Sequence, residues 1–586
     1  MDEKQLLSFF DEYNTAIKGK KEYPNFTLYN LEECPFCDGA HRDGAYIIHN
    51  NNGVVVAKCH HDSCKDASWS KLYEIKTGKK LTPKKSKNKE KTDTNNWVDI
   101  VNKIHEEGLL DVFLDNYGNI VAKIVSMDDS VMKMMPVKSY EFKIHLQRLI
   151  YENAHIVLDR RVYESVLDYI AILAYKKGSH VTVYKRVCYA DGKITYELDK
   201  DKNVKVVISK NGIAIVDDDE AFFHHSKYFA NQVMPDFDSI KEQDYKILPR
   251  LIKKHFNFSG DREVALFTIY LVTSFLGNAI NHPIMSISGQ KGSGKSSAIK
   301  KFCQIVDPKN IGLGNIPKTE DDISLRISEN YVNAFDNLSY INKSISDLFC
   351  KCVTGGTNVR RTLYENNDET TFDLKSIIVL NGIDVLIYES DLQDRSIFFH
   401  LERLTSDKLK TETELDEEFL ADLPQILALC FSVLQLAMTD EEPVDKSEMT
   451  RMADFFEWAV KIGKVLGYEE KFVISLLHKN RDQIIEQSLS ENPLSQLIMV
   501  YMEYVEIREH TVAEFLKILK KLAVEQQVDT KLLPNQPNVL SRKINKIKSD
   551  LESVGIIYDI KNKGYSKVIT LKNSHPKHVP VKIVTT

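Results

Sequence analysis

The sequence is short of several features that would have fixed its class at once. Its 586 residues include 24 glycines and 16 prolines, too few for a collagen-like or low-complexity chain. Nine cysteines at this length do not make a disulfide-stapled scaffold. Net charge is almost absent: 78 Lys and Arg stand against 84 Asp and Glu, a formal −6, so the total announces no nucleic-acid binder. Met1-Asp2-Glu3-Lys4 has no apolar core behind a basic start, so no secretory signal is read and a reducing cytoplasm is expected. The longest charge-free stretch, Val264 to His282, contains Thr268, Thr273, Ser274, Asn278 and Asn281, and reads as a buried helix rather than a membrane span. No internal repeat is visible.

What is present is ordinary globular composition, 43% hydrophobic and 28% charged, with length for roughly three to five domains. The near-neutral total conceals segregation. Residues 76–91 hold eight Lys against one Glu, residues 541–586 hold ten Lys and Arg against three acids, and residues 401–450 hold 13 acids against four bases. Six parts follow: a cysteine-bearing segment (1–77), a basic flexible linker (78–95), an α+β module (96–236), an α/β domain (237–405), a helical connector (406–485) and a basic C-terminal domain (486–586). The linker is either a solvated tether or one that also meets phosphates. The α+β module has no motif of its own, and a DNA-contacting or ring-forming collar is its expected role.

The strongest motif is Gly289-Gln290-Lys291-Gly292-Ser293-Gly294-Lys295-Ser296, followed by Ser297. An apolar strand runs in from Ile284 and a helical pattern runs out, the context that separates a phosphate-binding P-loop from a surface turn. Its glycines let successive N–H groups approach phosphate oxygens, Lys295 would reach the β- and γ-phosphates of ATP, and Ser296 would ligate Mg²⁺. Downstream, Tyr331 to Phe335 is an apolar run ending in Asp336, placed to share that Mg²⁺. Asn337 follows it and cannot accept a proton, which leaves the water-activating base open among Glu320, Asp321 and Asp322. A third apolar strand ends at Asn381, either a turn former or a sensor of the γ-phosphate. Arg395 is either a surface ion pair or an arginine that stabilises a neighbouring subunit's transition state.

These runs, GQKGSGKS, FDNLSYINKSISDLFCKCVTGGTNVRRTLYENNDE, SIIVLNGID and DLQDRS, together resemble superfamily 3-like AAA+ helicases of phages and bacterial mobile elements. The resemblance is closest to the replication initiators of staphylococcal pathogenicity islands and cassette chromosomes. It covers residues 237–405 firmly and the flanks loosely. It implies a hexameric ring that hydrolyses ATP between subunits and draws single-stranded DNA through its pore, with catalytic roles for Lys295, Asp336, Asn381 and Arg395. It also makes the hairpin pattern from Gly355 to Phe372 a pore hairpin. The tip of that hairpin, Asn366 to Glu369, is acidic, so the DNA grip falls to Arg360, Arg361 or Lys375, unless the arginines make inter-subunit ion pairs.

Cys34-Pro-Phe-Cys37 and Cys59-His60-His61-Asp62-Ser63-Cys64 are two ligand pairs joined by strand patterns, the layout of a structural zinc ribbon. The second spacing is wide, so His60, His61 or the more distant His41 could replace a cysteine. At the other end, three helical patterns (Leu494 to Tyr501, Val512 to Leu522, Val539 to Val554) and two strands have winged-helix order. Leu540, Ile544, Ile547, Leu551 and Val554 repeat at core spacing, which leaves Arg542, Lys543 and Lys546 for the major groove and Lys561 and Lys563 for the wing.

The reading is a self-loading replicative helicase and replication initiator acting on double-stranded origin DNA and single-stranded DNA, with host replication proteins as further partners. A primase-helicase is the alternative, its only acidic cluster being Asp217 to Glu220; another is a non-helicase AAA+ remodeller.

Overall fold

The computed structural model describes residues 1–80 and 96–577 apart from 24–25, 38–43, 51–52, 62–63, 65–66, 126–131, 218–220, 241–243, 339–340, 362–368, 383–388, 404–410, 446–447, 450 and 565. Most of the basic linker, His41, Asp218 to Glu220 and the hairpin tip at 366–368 lie outside the described residues, as do the side chains of Arg360 and Arg361. The chain forms two compact units, 1–96 and 97–586.

In the first unit, α1 (Glu3–Glu12) starts at a reciprocal cap, Asp2 accepting from the Gln5 backbone and Gln5 from the Asp2 backbone. An antiparallel sheet follows in sequential order, β1 (Ile17–Tyr23), β2 (Phe26–Leu31), β3 (Ala45–Asn50) and β4 (Val55–Cys59). Helix α2 (Trp69–Thr77) closes the unit, capped by Ser68 and ended by Gly78 in the left-handed conformation. Leu6, Phe9, Tyr29, Ile47 and Leu72 form a small core that also takes in Cys34 and Cys64.

The second unit begins with α3 (Asn96–Glu106), β5 (Leu110–Asp115), β6 (Ile120–Val125), β7 (Met132–Pro136), α4 (Tyr140–Ala154), α5 (Arg160–Lys177) and β8 (His180–Val181), with sheet order β7-β6-β5-β8. These helices and strands enclose a core of their own around Val112, Phe142, Leu146 and Ile170. Next come β9 (Val183–Tyr184), the antiparallel meander β10 (Val187–Ala190), β11 (Lys193–Asp199), β12 (Val204–Ser209) and β13 (Gly212–Val216), and β14 (Phe222–Phe223), which pairs with β9. The meander does not share the first core: Val187, Ile194, Tyr196 and Val206 are buried with residues from 248 to 484. The stretch 96–236 is therefore divided between two cores.

Helices α6 (Ile247–His255) and α7 (Asp261–Thr273) lead into an α/β layer: β15 (Ile284–Gly289), α8 (Lys295–Val306), α9 (Glu320–Glu329), β16 (Val332–Leu338), α10 (Lys343–Thr354), the hairpin β17 (Thr357–Arg361) and β18 (Glu369–Asp373), β19 (Ile377–Gly382), α11 (Ser390–Gln393) and β20 (Ser396–Leu401). The charge-free stretch is indeed a buried helix, α7, with every residue from Val264 to Thr273 covered. Strands β16-β19-β15-β20 lie in that order and all parallel; β15 and β19 are buried at every position, as a sheet covered on both faces requires. Helices α12 (Glu412–Thr439), α13 (Ala453–Val465) and α14 (Glu470–Glu491) pack into the same core. Among the described residues α12 is the one helix long and apolar enough to cross a membrane, and Phe419, Leu423, Ile426 and Phe431 on it are core residues. Asn480 on α14 covers the edge of the sheet, its amide giving 2.7 Å to the Phe398 carbonyl and taking 3.1 Å from the Phe398 N–H.

The chain ends in α15 (Pro493–Met502), β21 (Ile507–Thr511), α16 (Val512–Glu525), α17 (Pro537–Lys546), α18 (Lys548–Ser553), β22 (Ile556–Lys563) and β23 (Ser566–Asn573), with sheet order β21-β23-β22. Two expectations change. The helix read from Val539 to Val554 breaks at Ile547 into α17 and α18, while Leu540, Ile544, Ile547 and Leu551 all stay buried; packing holds the core face and gives up helical continuity. The strand β21 was not foreseen, since Ile-Arg-Glu-His-Thr has no alternating apolar pattern.

Candidate functional site

Parallel strands place the ends of β15, β16 and β19 side by side, and the motif residues meet there. Gly289 leaves β15 with φ +152°, and a side chain on it would lie 2.6 Å from the Leu401 carbonyl oxygen, so the loop passes where only glycine fits. Gly292 and Gly294 also have positive φ, and α8 starts at Lys295 with no side-chain cap on its first N–H groups. Lys295 folds back over the loop, donating 2.6 Å to the Gly289 carbonyl and 3.2 Å to that of Gln290. Burial holds its ammonium below the usual lysine range, and the Asp336 carboxylate opposes that shift.

Beside it, Ser296 Oγ donates 3.1 Å to Asp336 Oδ2, and the Asn381 amide donates to Asp336 Oδ1 and, at 3.4 Å, to Ser296 Oγ. Ser296, Asp336 and Asn381, separated by up to 85 residues, thus form one polar cluster. Asn337 takes the left-handed conformation at φ 55° and donates its backbone N–H 2.8 Å to Asp336 Oδ1. Two buried oxygens at this site, Asn381 Oδ1 and Ser293 Oγ, have no hydrogen-bond partner among the described residues. A cluster with a hydroxyl, a carboxylate and unsatisfied buried oxygens can take a hard cation, and the open helix start beside Lys295 can take an anion. Glu320, Asp321 and Asp322 occupy the exposed first turn of α9, where their charge favours the start of that helix.

Arg395 is elsewhere. It precedes β20, at the opposite end of the sheet, and is 9% exposed, with Nη1 2.7 Å from both the Asp391 carbonyl and Asp391 Oδ1. The ion pair weighed for it is therefore formed. Lys375, read as a DNA contact, stands half-buried at the foot of the β17–β18 hairpin and donates 3.0 Å to the Asn278 carbonyl. Burial lowers its pKa and Asp373 works against that. The hairpin itself is present, pairing Thr357 with Asp373 through Arg361 with Glu369.

Residues 185 and 186, which sequence reading missed, anchor this layer. Lys185 Nζ reaches the carbonyls of Ile327, Asp373 and Lys375 and the Ser376 hydroxyl at 2.8–3.2 Å. Arg186, fully buried, bonds Asp307 and the carbonyls of Glu197, Ala230 and Pro308. A Lys-Arg pair in the bend between two short strands carries no pattern that marks it as buried.

In the first unit, the sulfurs of Cys34, Cys37 and Cys64 lie within 4.8 Å of one another, so this cluster could bind a metal such as zinc. Cys34 Sγ is 3.8 Å from Cys64 Sγ and 3.5 Å from Cys59 Sγ, close to the roughly 3.8 Å edge of a tetrahedron with about 2.3 Å Zn–S bonds. Cys59 Sγ also lies 3.2 Å from His61 Nδ1, whereas the His60 ring packs 4.9 Å from that of Tyr46. His61 sits over Gly44 at φ +105°, where a Cβ would come within 2.7 Å of its ring.

On the C-terminal domain, Arg542, Lys543 and Lys546 are exposed on α17, as are Lys561 and Lys563 on β22. Three of them meet acids: Lys546 with Glu389 at 3.3 Å, Lys561 with Asp559 at 2.7 Å and Lys563 with Glu509 at 2.6 Å.

Residues 250–472 match the family model described as actinomycete integrative conjugative element replication protein, and residues 494–581 match that of the RepA C-terminal domain of such elements. A search of curated proteins gives no significant match. Among solved structures, the apo structure of the NrS-1 C-terminal region is similar over 80% of this chain and 98% of that one, at 11% identity and a TM-score of 0.36. Its A form apo structure is similar over the same shares at 12% identity and a TM-score of 0.36. Likeness that distant defines neither fold nor function.

Proposed function

We propose, from the premise that this chain is a replication protein of a mobile genetic element, that it is an ATP-driven AAA+ motor that initiates replication and unwinds DNA. The observation that carries the reading is the convergence of Lys295, Ser296, Asp336 and Asn381 at one end of a parallel sheet, beside a glycine loop and an open helix start. The loop N–H groups and Lys295 would bind the phosphates, and Ser296 and Asp336 would hold Mg²⁺, which would supply neutralisation of charge on the transferring phosphoryl group. Asn381, held against both, positions the attacking water. Asn337 fixes the Asp336 carboxylate through its backbone and supplies no base.

The helix and strand order of residues 493–573 supports a winged helix, with Arg542, Lys543 and Lys546 meeting duplex DNA. The sulfur cluster is read as a structural zinc site with Cys59 or His61 as fourth ligand. The experiment is ATP hydrolysis and forked-duplex unwinding by wild type and Lys295→Ala. Loss of both activities in the variant is the expected result; unwinding that survives the substitution overturns the mechanism. Hydrolysis without unwinding in wild type would leave a remodeller instead.

A further inference from the structure

Sheet edges in this protein are blunted in ways that discourage another strand. Strand β1 carries four charged residues and β22 three, and β7 has Lys133 and Pro136. The Tyr189 N–H and carbonyl on β10 are taken by the Asn278 amide at 2.6 and 3.0 Å, and Asn480 covers β20. At the far side of the meander that β10 begins stands β13, Gly-Ile-Ala-Ile-Val, with no charge and no proline. Among the described residues no backbone group pairs with its outer side, and no side chain bonds the backbone of Ile213, Ala214 or Ile215. Ala214 and Ile215 are exposed, Ile215 by 44%.

The same strand cuts short an apolar pattern. The register of the meander sets Ile194, Ile208 and Ile213 in one cross-strand row and Tyr196, Val206 and Ile215 in the next. The first two members of each row are fully buried, and each row stops at the edge on an isoleucine that is not. Charge is ordered about the strand too: Lys210 precedes it and Asp217 follows it, both exposed. Lys210 meets Glu441 at 2.6 Å, yet its side chain stays 62% exposed. A second β13 laid antiparallel about Ala214 sets Ile213 of each copy opposite Ile215 of the other, so each row of one sheet runs on into a row of the next. It also brings Asp217 opposite Asn211, one residue from Lys210, at both ends. Parallel alignment would set Lys210 against Lys210 and Asp217 against Asp217, so the charges favour the antiparallel one.

We propose that β13 is a docking edge for the β13 of a second copy of this chain, joining two four-stranded meanders into one continuous antiparallel sheet. The contact is two-fold and closes on itself, unlike the head-to-tail contact that a ring repeats. It follows from the sheet alone and is independent of the ATPase reading above. A five-residue strand pair is a small interface beside the roughly 1,200 Å² of stable complexes, so the pairing is reversible and depends on protein concentration.

The test uses the full-length protein, without nucleotide or DNA, in sedimentation runs over a concentration series. At high concentration wild type should reach twice the particle mass of Ala214→Lys, which puts a charge at the centre of an uncharged edge. Because Ala214 is exposed, the melting temperature of that variant should not change. Lys295→Ala should pair as wild type does, whatever becomes of its ATP hydrolysis. Crosslinking gives a second readout. Directly opposed residues of antiparallel strands have Cα atoms about 4.5–5.5 Å apart, within the roughly 4.4–6.8 Å that a disulfide spans. Mild oxidation should therefore link two Ala214→Cys chains far more than two wild-type or Asn211→Cys chains. Equal masses for wild type and Ala214→Lys at every concentration overturn the proposal, as does Ala214→Cys that links no better than Asn211→Cys. Slow hydrogen exchange at the Ile213 and Ile215 amides in a particle of unchanged mass would mean that another segment of the same chain covers the edge, and overturns it as well.

Discussion

His282 lies just before β15, at the end of the sheet away from the glycine loop, with its Nε2–H donating 2.8 Å to the Gly277 carbonyl and the Tyr331 hydroxyl 3.3 Å away. Burial drives its pKa from 6.5 down to about 4. Between those values the unfolded chain takes up a proton that the folded one refuses, so stability falls as pH drops from about 6.5 to 4, by about 1.4 kcal/mol per unit. Urea titrations at pH 7 and pH 5 should show that slope in wild type and a shallower one in His282→Asn. Gly289 answers to a different constraint. Gly289→Ala must displace the Leu401 carbonyl or the loop, with an expected cost of about 1–3 kcal/mol in unfolding free energy and a loss of nucleotide affinity by calorimetry. Both residues show what sequence can carry at this scale. The glycine is legible because its reason is backbone geometry, written in the motif. His282 is not, because its burial depends on Gly277 and Tyr331 folding over it, and the turn of Arg395 inward depends likewise on Asp391.

Arg186 and Asp307 join elements rather than residues. Asp307 ends α8, accepts the Val332 N–H at 2.9 Å where β16 starts, and pairs with Arg186 at 3.2 Å, while the guanidinium lies 3.5 Å over the Phe229 ring. Burial alone would raise the Asp307 pKa, but Lys309 and Arg186 overcome it and hold the carboxyl below its usual range. Removing Arg186 leaves Asp307 paired with Lys309 at 3.2 Å but takes the donor from the buried carbonyls of Glu197, Ala230 and Pro308, so Arg186→Met should cost about 1–3 kcal/mol in chemical denaturation. Because Asp307 fixes the P-loop helix to the strand that carries Asp336, the same variant should weaken nucleotide binding without touching the site. At this scale apolar periodicity made the buried strands β15, β16 and β19 readable, and glycine with lysine marked the loop between β15 and α8. Periodicity failed where pairing partners make the element, as in the polar strand β21, and where tertiary packing bends one, as at Ile547.

Across the whole molecule, charge is segregated as composition suggested, with a basic α17 and β22 on a chain of slight net negative charge. Replacing Arg542, Lys543 and Lys546 together with alanine should reduce the slope of log affinity for duplex DNA against log salt by about 0.9 for each phosphate the variant no longer neutralises. An unchanged slope in a filter-binding series would remove α17 from the DNA interface. The sulfur cluster makes a separate prediction, since Cys34 and Cys64 are part of the core of the first unit. On the zinc reading proposed above, a chelator added to the full-length protein should strip hydrogen-exchange protection from β3 and leave that of β15 intact. The cluster of Cys34, Cys37 and Cys64 was legible from spacing alone, and His61 was one of the histidines weighed beside it; that Gly44 leaves no room for a side chain under the His61 ring was not legible.

One contact gives the basic domain a second meaning. Lys546 pairs with Glu389, the residue that precedes α11 and, through it, Asp391, Asp394 and Arg395. A lysine cannot serve that carboxylate and a DNA phosphate equally at the same moment. Thermodynamic reciprocity then requires that whatever DNA does to the corner around Arg395 by drawing Lys546 away, a nucleotide that rearranges the corner does to DNA affinity by the same factor. Lys546→Ala should flatten that mutual dependence, so that DNA affinity measured with and without nucleotide converges.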